Sequence, residues 1–199
     1  MNTIDKALGL RVLHTRPGVF VIANAWDAGS ARILAGLGFE ALATSSGACA
    51  GTLGRRDGRV TRDEALAHAR AIVQAVELPV SADLENGFGD APDMAAQTIR
   101  LAAEVGLVGA SIEDFSGDAA RPIYDRALAI ERVQAAAEAA RALPITFTLT
   151  ARSENFLRGR VDLDDTIDRL QAYEAAGADV LMAPGLPDLA AVRAVCAAL

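Results

Sequence analysis

Two short acidic stretches of this 199-residue chain have the residue types and spacing to do chemistry. In Val80-Ser-Ala-Asp-Leu-Glu-Asn-Gly-Phe-Gly-Asp90 an apolar run ends on Asp83, Glu85 follows two residues later, and glycines allow a sharp turn. Carboxylates at a strand end suit a hard cation, and Mg²⁺ takes a few such oxygens plus water and substrate. The plainer alternative is that Asp83 and Glu85 cap the next helix, for which Asp90 is better placed. In Gly109-Ala-Ser-Ile-Glu-Asp114 two acids end a second apolar run. On consecutive strands of a parallel barrel, Glu113 lies near Asp83. Acids that converge without lysines favour a cation among them, the alternative being a solvated acidic rim.

Arg152, in Leu149-Thr-Ala-Arg-Ser-Glu154, supplies a cation at a third strand end. Its guanidinium can hold a carboxylate or a developing oxyanion bidentately, or form a structural pair with Glu154 or Glu113. Thr44-Ser-Ser-Gly-Ala48 offers hydroxyls and closely spaced amides able to cradle a carboxylate. The Gly- and charge-rich segment 51–59 that follows reads either as a loop that closes over the site or as an ordinary connection. His14 and His68 read as helix-surface residues, Cys49 as a buried filler, and Phe20, Phe39 and Phe147 as core.

These residues need a scaffold that brings several strand ends together. Strands are expected at Val19–Ala23, Ala41–Thr44, Pro79–Asp83, Val108–Ile112, Ile145–Ala151 and Asp179–Met182. Each is short and continuously apolar, as in a parallel sheet covered on both faces. Helices are expected at Ala28–Leu37, Thr61–Val76, Pro92–Val105, Ala127–Ala140, Leu163–Ala176 and from about Asp188 onward. Thr61 and Glu64 form a capping box, Pro92 starts its helix, and Gly106 and Gly177 stop theirs. The acidic run Asp162–Asp168 reads as a helix N-terminus. Polar residues after several different strands, and Asn-Ala-Trp-Asp rather than a Gly-rich fingerprint after the first, favour a (β/α) barrel over a doubly wound sheet. Only six strand–helix units are present in residues 1–199, read as one domain. A truncated chain, a fragment, and an open sheet with edges covered by a partner chain all fit that count.

Bulk properties exclude other classes. The net charge of −7 argues against a nucleic-acid binder or a basic membrane-surface protein. No apolar run reaches the roughly 18 residues of a membrane span. The N-terminal residues lack a secretory pattern, and Cys49 and Cys196 do not make a disulfide framework, so a cytoplasmic location is the expectation.

Taken together, Asn24-Ala-Trp-Asp27, Thr44-Ser-Ser-Gly47, Leu53-Gly-Arg-Arg-Asp-Gly58, Ala82-Asp-Leu-Glu-Asn-Gly-Phe-Gly89, Ser111-Ile-Glu-Asp114, Thr150-Ala-Arg152 and Ala176-Gly-Ala-Asp179 resemble the isocitrate lyase/phosphoenolpyruvate mutase superfamily, in its mutase-like branch. The resemblance implies a (β/α)₈ TIM-type barrel, cut short here after the sixth unit. It implies Mg²⁺, with Mn²⁺ as an alternative, and an enolate of a small 2-oxo acid. It places the metal at Asp83 with Glu85 and Glu113, and the substrate carboxylate at Ser46, Gly47 and Ala48. Arg152 binds the carboxylate or enolate oxygen, Trp26 lines the pocket, and Asp57 sits on the gating loop. Catalytic roles thus fall to Arg152, Asp57 and Glu113, and a homotetramer is the implied assembly.

Two departures narrow the function. Asp83-Leu-Glu85 stands where many members have Asp-x-Asp. Residues 115–124 lack the Cys, Lys and His of the isocitrate-type lyases, and the Lys and Asn of the phosphonate-forming members. The expected activity is therefore Mg²⁺-dependent C–C cleavage of a 2-oxo acid, such as oxaloacetate decarboxylation or acylpyruvate cleavage. P–C chemistry, or a barrel fragment that binds a 2-oxo acid without turnover, is the alternative.

Overall fold

The computed structural model describes residues 2–199. Six strands, β1 (Ala23–Asn24), β2 (Leu42–Ala43), β3 (Val80–Asp83), β4 (Gly109–Glu113), β5 (Thr148–Arg152) and β6 (Val180–Met182), pair in chain order. Every pairing is parallel. The sheet is a curled half-barrel of the kind found in the superfamily's barrels, and six of the eight strands of a full barrel occur among the described residues. The expected strands lie in the right places; β4 keeps its five residues, moved by one position, and the others are shorter. β1 begins at Ala23 rather than Val19, and Val19 and Val21 are exposed, because the extended chain before Ala23 has no paired strand beside it.

The helices cover the sheet: α2 (Ala28–Gly36), α4 (Arg62–Ala75), α5 (Pro92–Glu104), α6 (Arg126–Arg141), α7 (Leu163–Ala175) and α8 (Leu189–Ala198) follow successive strands. Alanine is what lets them pack closely. Ala95, Ala96 and Ala102 of α5 and Ala136, Ala137, Ala139 and Ala140 of α6 are buried in the main core with Ile99, Ile112 and Leu149. Small side chains allow close helix–helix and helix–sheet approach.

Two further helices lie outside the expected ranges, although His14, read as a helix-surface residue, does lie on the first of them. α1 (Thr3–Thr15), capped by Asn2, buries Ala7, Leu10 and Leu13 against Ala41 and Val108. It closes the N-terminal end of the sheet; a Cβ on Gly109 would come within 2.9 Å of Leu10 Cδ2. α3 (Ser46–Thr52) starts directly after β2, with the Ser45 side chain accepting from the Ala48 N–H. No described helix is long and apolar enough to cross a membrane.

Candidate active site

The strand periodicity of two aims the side chains. Within β4 and the residue after it, Glu113 faces a cavity at the C-terminal end of the sheet, whereas Asp114 points to the opposite side. There Asp114 accepts from the Glu154 N–H (2.7 Å) and the Tyr173 hydroxyl (2.6 Å) and pairs with Arg169 (3.2 Å). Asp114 is therefore a structural tie between β4 and α7, not a member of the acidic cluster.

The cavity has a volume of about 1000 Å³. It is lined by six acids, Asp57, Asp63, Asp83, Glu85, Glu113 and Glu154, and four arginines, Arg59, Arg62, Arg152 and Arg158. The acidic excess leaves room for a cation. At its centre Arg152 Nη1 lies 3.2 Å from Asp83 Oδ1, and Nη2 lies 3.0 Å from Glu113 Oε2 and 2.6 Å from Glu154 Oε1. Burial alone would lower the Arg152 guanidinium, but the charges of Asp83, Glu113 and Glu154 outweigh it and push the group above its ordinary value.

The acids respond to the same confinement. Burial, then the neighbouring charges of Asp57 and Asp83, raises Glu85 to about 7. Burial raises Glu113 to about 8 against the pull of Arg152, with Glu154 and Asp83 adding to the rise. A divalent cation beside these groups would relieve what a proton otherwise relieves. Among the described residues, however, no three acid, histidine or cysteine side chains stand ready around one point as ligands. Arg152 occupies the space between Asp83 and Glu113. Asp83, Glu85 and Glu113 are the oxygen donors at this point of the cavity that would suit a hard cation.

The loop after β3 is fixed by strain and by a buried cation. Glu85 (φ 49°) and Phe88 (φ 63°) adopt left-handed backbone conformations that non-glycine residues avoid. The Glu85 N–H donates to Asp83 Oδ1 (3.1 Å), and the Asn86 side chain receives the Phe88 N–H (3.0 Å). Arg132, buried on α6, donates to the carbonyls of Asn86, Gly89 and Asp90 and stacks over Tyr124. Tyr124 in turn donates to Asp90 (2.6 Å).

The expected carboxylate cradle is smaller than anticipated. The Ser46 N–H donates to Asp83 Oδ2 (3.1 Å), and the Ala48 N–H is taken by Ser45. Ser45, Ser46 and Gly47 line the cavity; Ala48 is buried beneath the first turn of α3 and does not. Asp57 reaches the cavity, its Oδ2 being 3.7 Å from where a Cβ on Gly47 would sit. Its loop is tied down by Arg55, which pairs with Glu64 (2.7 Å), itself part of the capping box of α4.

Trp26 is the clear correction. It is 57% exposed and absent from the cavity lining. The Asp27–Ser30 capping box starts α2 immediately after it, and the indole lies against Gly51 of α3 while its carbonyl bonds to His68. Conversely, Glu154, Arg158, Asn86 and Phe115 line the cavity and were not singled out as site residues. The signal for Glu154 and Arg158 was their closeness to Arg152, and for Asn86 its place in the carboxylate loop. Cys49 is buried with Ala50 and Val60, and burial raises its thiol, as suits a filler.

Residues 10–199 match the family described as phosphoenolpyruvate phosphomutase. Among curated relatives, 2,3-dimethylmalate lyase of Eubacterium barkeri is 32% identical over 189 residues, covering 91% of this chain and 63% of that protein. Oxaloacetate decarboxylase of Bradyrhizobium diazoefficiens is 32% identical over 196 residues, covering 95% and 66%. A crystal structure from Burkholderia cenocepacia J2315, named no more specifically than lyase/mutase, is 59% identical with a TM-score of 0.97, covering 98% of this chain and 71% of that one. The chain spans 63% of the length of the first curated relatives it matches.

Proposed function

This chain belongs to the phosphoenolpyruvate phosphomutase/isocitrate lyase superfamily, and on that premise we propose that it is a Mg²⁺-dependent carbon–carbon lyase that cleaves a small 2-oxo acid through an enolate, as in oxaloacetate decarboxylation. The observation that carries this is the placement of Arg152 between Asp83 and Glu113 in an acid-rich cavity that Ser46 and Gly47 also line. The similarity to an oxaloacetate decarboxylase supports the choice of substrate class.

Asp83, Glu85 and Glu113 would hold the ion, with Mn²⁺ as a substitute. Bound there, Mg²⁺ supplies positive charge that favours electron flow onto a 2-oxo oxygen. The chain's own residues do the rest. Arg152 remains charged and aims its donors at the same space, so it orients the substrate carboxylate and stabilises the enolate oxygen. The Gly47 amide, in the first turn of α3, would add a dipole of the same sense, while the Ser46 N–H holds Asp83. Asp57 and Gly58 line the cavity from an exposed loop whose closure would limit water. In oxaloacetate the bond between C3 and the distal carboxylate breaks, CO₂ departs, and the electron pair becomes the enolate. No cysteine or histidine lines the cavity, so C3 takes its proton from water.

Residues 115–124 support this choice over isocitrate-type cleavage. They fold back through a Phe115–Ile123 bridge and present Phe115 and Gly117 to the cavity, where no thiol or imidazole can serve as acid. A second reading, hydrolysis or rearrangement of phosphonopyruvate, is favoured by the Asp57 carboxylate beside Gly47.

Oxaloacetate consumption with Mg²⁺ is the test. The wild type is expected to exceed the rate of Mg²⁺ alone, and to lose that excess with chelator or in Asp83→Ala. Phosphate release from phosphonopyruvate without oxaloacetate loss would move the function to the second reading. Binding of either acid without turnover would make the chain a binder.

A further inference from the structure

We infer that Arg158 reads a second carboxylate, so that the substrate is a 2-oxo diacid rather than a 2-oxo monoacid. This rests on the lyase reading above and sharpens its substrate class.

Arg158 ends the single-turn 3₁₀ helix Phe156–Arg158, and Gly159 (φ 80°) closes that turn. Its guanidinium is held on two sides. The carbon Cζ stacks 3.5 Å above the centroid of the Phe115 ring, and Nη2 pairs with Glu154 Oε2 at 3.1 Å. Nη2 also lies 3.8 Å from Glu113 Oε1. Glu154 is fully buried and divides its oxygens between the two arginines, Oε1 to Arg152 and Oε2 to Arg158. Arg152 is hydrogen-bonded to Oε1, whereas Arg158 is held to Oε2 by an ion pair that draws its guanidinium toward the same carboxylate.

The two arginines differ in what remains open. Arg152 is engaged by Asp83, Glu113 and Glu154. Arg158 has no hydrogen bond from Nη1 to any described residue; its Nε is also unpartnered but is buried and out of a ligand's reach. A cation stacked on an aromatic ring, paired with a buried carboxylate, and left with a free Nη1 in a cavity is preorganised for a planar anion. A rigid fork loses little entropy when it captures a carboxylate.

Position then assigns the end of the substrate. Glu113 stands between the two guanidinium groups, 3.0 Å from one and 3.8 Å from the other. With the 2-oxo carboxylate at Arg152, an anion at Arg158 belongs to the far end of the same small molecule. A 2-oxo monoacid leaves those donors empty. Arg59 and Arg62 also line the cavity but sit on the capping loop and the start of α4, where Arg62 is already bonded to Gln97.

The test compares oxaloacetate with pyruvate in the wild type, Arg158→Gln, Arg158→Lys and Arg59→Gln. Losing the fork is expected to raise KM for oxaloacetate about ten- to a hundredfold in Arg158→Gln, with kcat changed only a few-fold. Arg158→Lys recovers part of that loss, and inhibition by pyruvate stays within about twofold. Equal weakening of both acids, or a larger loss in Arg59→Gln, overturns the inference. If the wild type does not turn over oxaloacetate, the lyase reading fails on its own. The inference is then read from calorimetric binding of 3,3-difluorooxaloacetate against pyruvate in the same variants. A selective loss of the diacid in Arg158→Gln supports it, and no selectivity refutes it.

Discussion

Glu85 and Glu113 carry a pH signature that follows from their burial. Both are raised, to about 7 and about 8, from an ordinary value of 4.5. A carboxyl whose folded value is raised favours the folded state below about 4.5 and loses that advantage as pH climbs through 7 and 8. Protons and a divalent ion therefore compete for the same cavity. Apo protein is expected to lose Tm between pH 6 and 8.5, and Mg²⁺ to restore more of it at pH 8.5 than at pH 6; differential scanning calorimetry at both values checks this. Asp83, Glu113 and Arg152, which the sequence singled out, each end a strongly apolar run, whereas Asp57, in a glycine- and charge-rich loop, came only from the family resemblance. Glu154 and Arg158 were not legible as site residues, because a short 3₁₀ turn with a left-handed glycine decides where they point. Trp26 was placed in the pocket by the resemblance alone; the Asp27–Ser30 cap starts α2 immediately after it, and the indole lies against α3 instead.

At the scale of elements, the loop from Asp83 to Ala91 is a strained unit held by Arg132 and by close packing on α5. Gly87 has φ 77°, and a Cβ there would lie 3.0 Å from Ala95 Cα, which is backbone and cannot easily yield. Gly87→Ala is expected to cost about 1–3 kcal/mol of stability, read by urea unfolding, and to weaken metal binding by displacing Asp83 and Glu85. The Thr61–Glu64 capping box was legible because its two residues act locally, and the structure has both hydrogen bonds. The helix Ser46–Thr52 was not. Its sequence is all small residues, and its start depends on Asp83 receiving the Ser46 N–H from a neighbouring strand. Tertiary contacts of that kind leave no periodic trace.

For the whole molecule, alternation of apolar runs with amphipathic stretches indicated a parallel sheet, and polar residues after several different strands pointed to the chain order that the structure has. The two-residue length of β1 and β2 was not visible, because pairing rather than composition sets strand length. The Asp114–Arg169–Tyr173 network joins the sheet to α7 from the side opposite the cavity. Arg169→Met leaves Asp114 buried without its cation and is expected to destabilise the fold by about 3–5 kcal/mol, measured by denaturant unfolding, without altering which acids are bound.

All of this turns on the proposal that acids from β3 and β4 hold an ion in one cavity, beside an arginine from β5. Titration with Mn²⁺, followed by electron paramagnetic resonance with and without oxalate, tests it most directly. One ion per chain is expected in the wild type, with its spectrum altered by oxalate. Asp83→Ala should lose the ion, and Arg152→Met should keep the ion but lose the oxalate effect. Undiminished Mn²⁺ binding in Asp83→Ala, or an unchanged oxalate effect in Arg152→Met, would contradict the account.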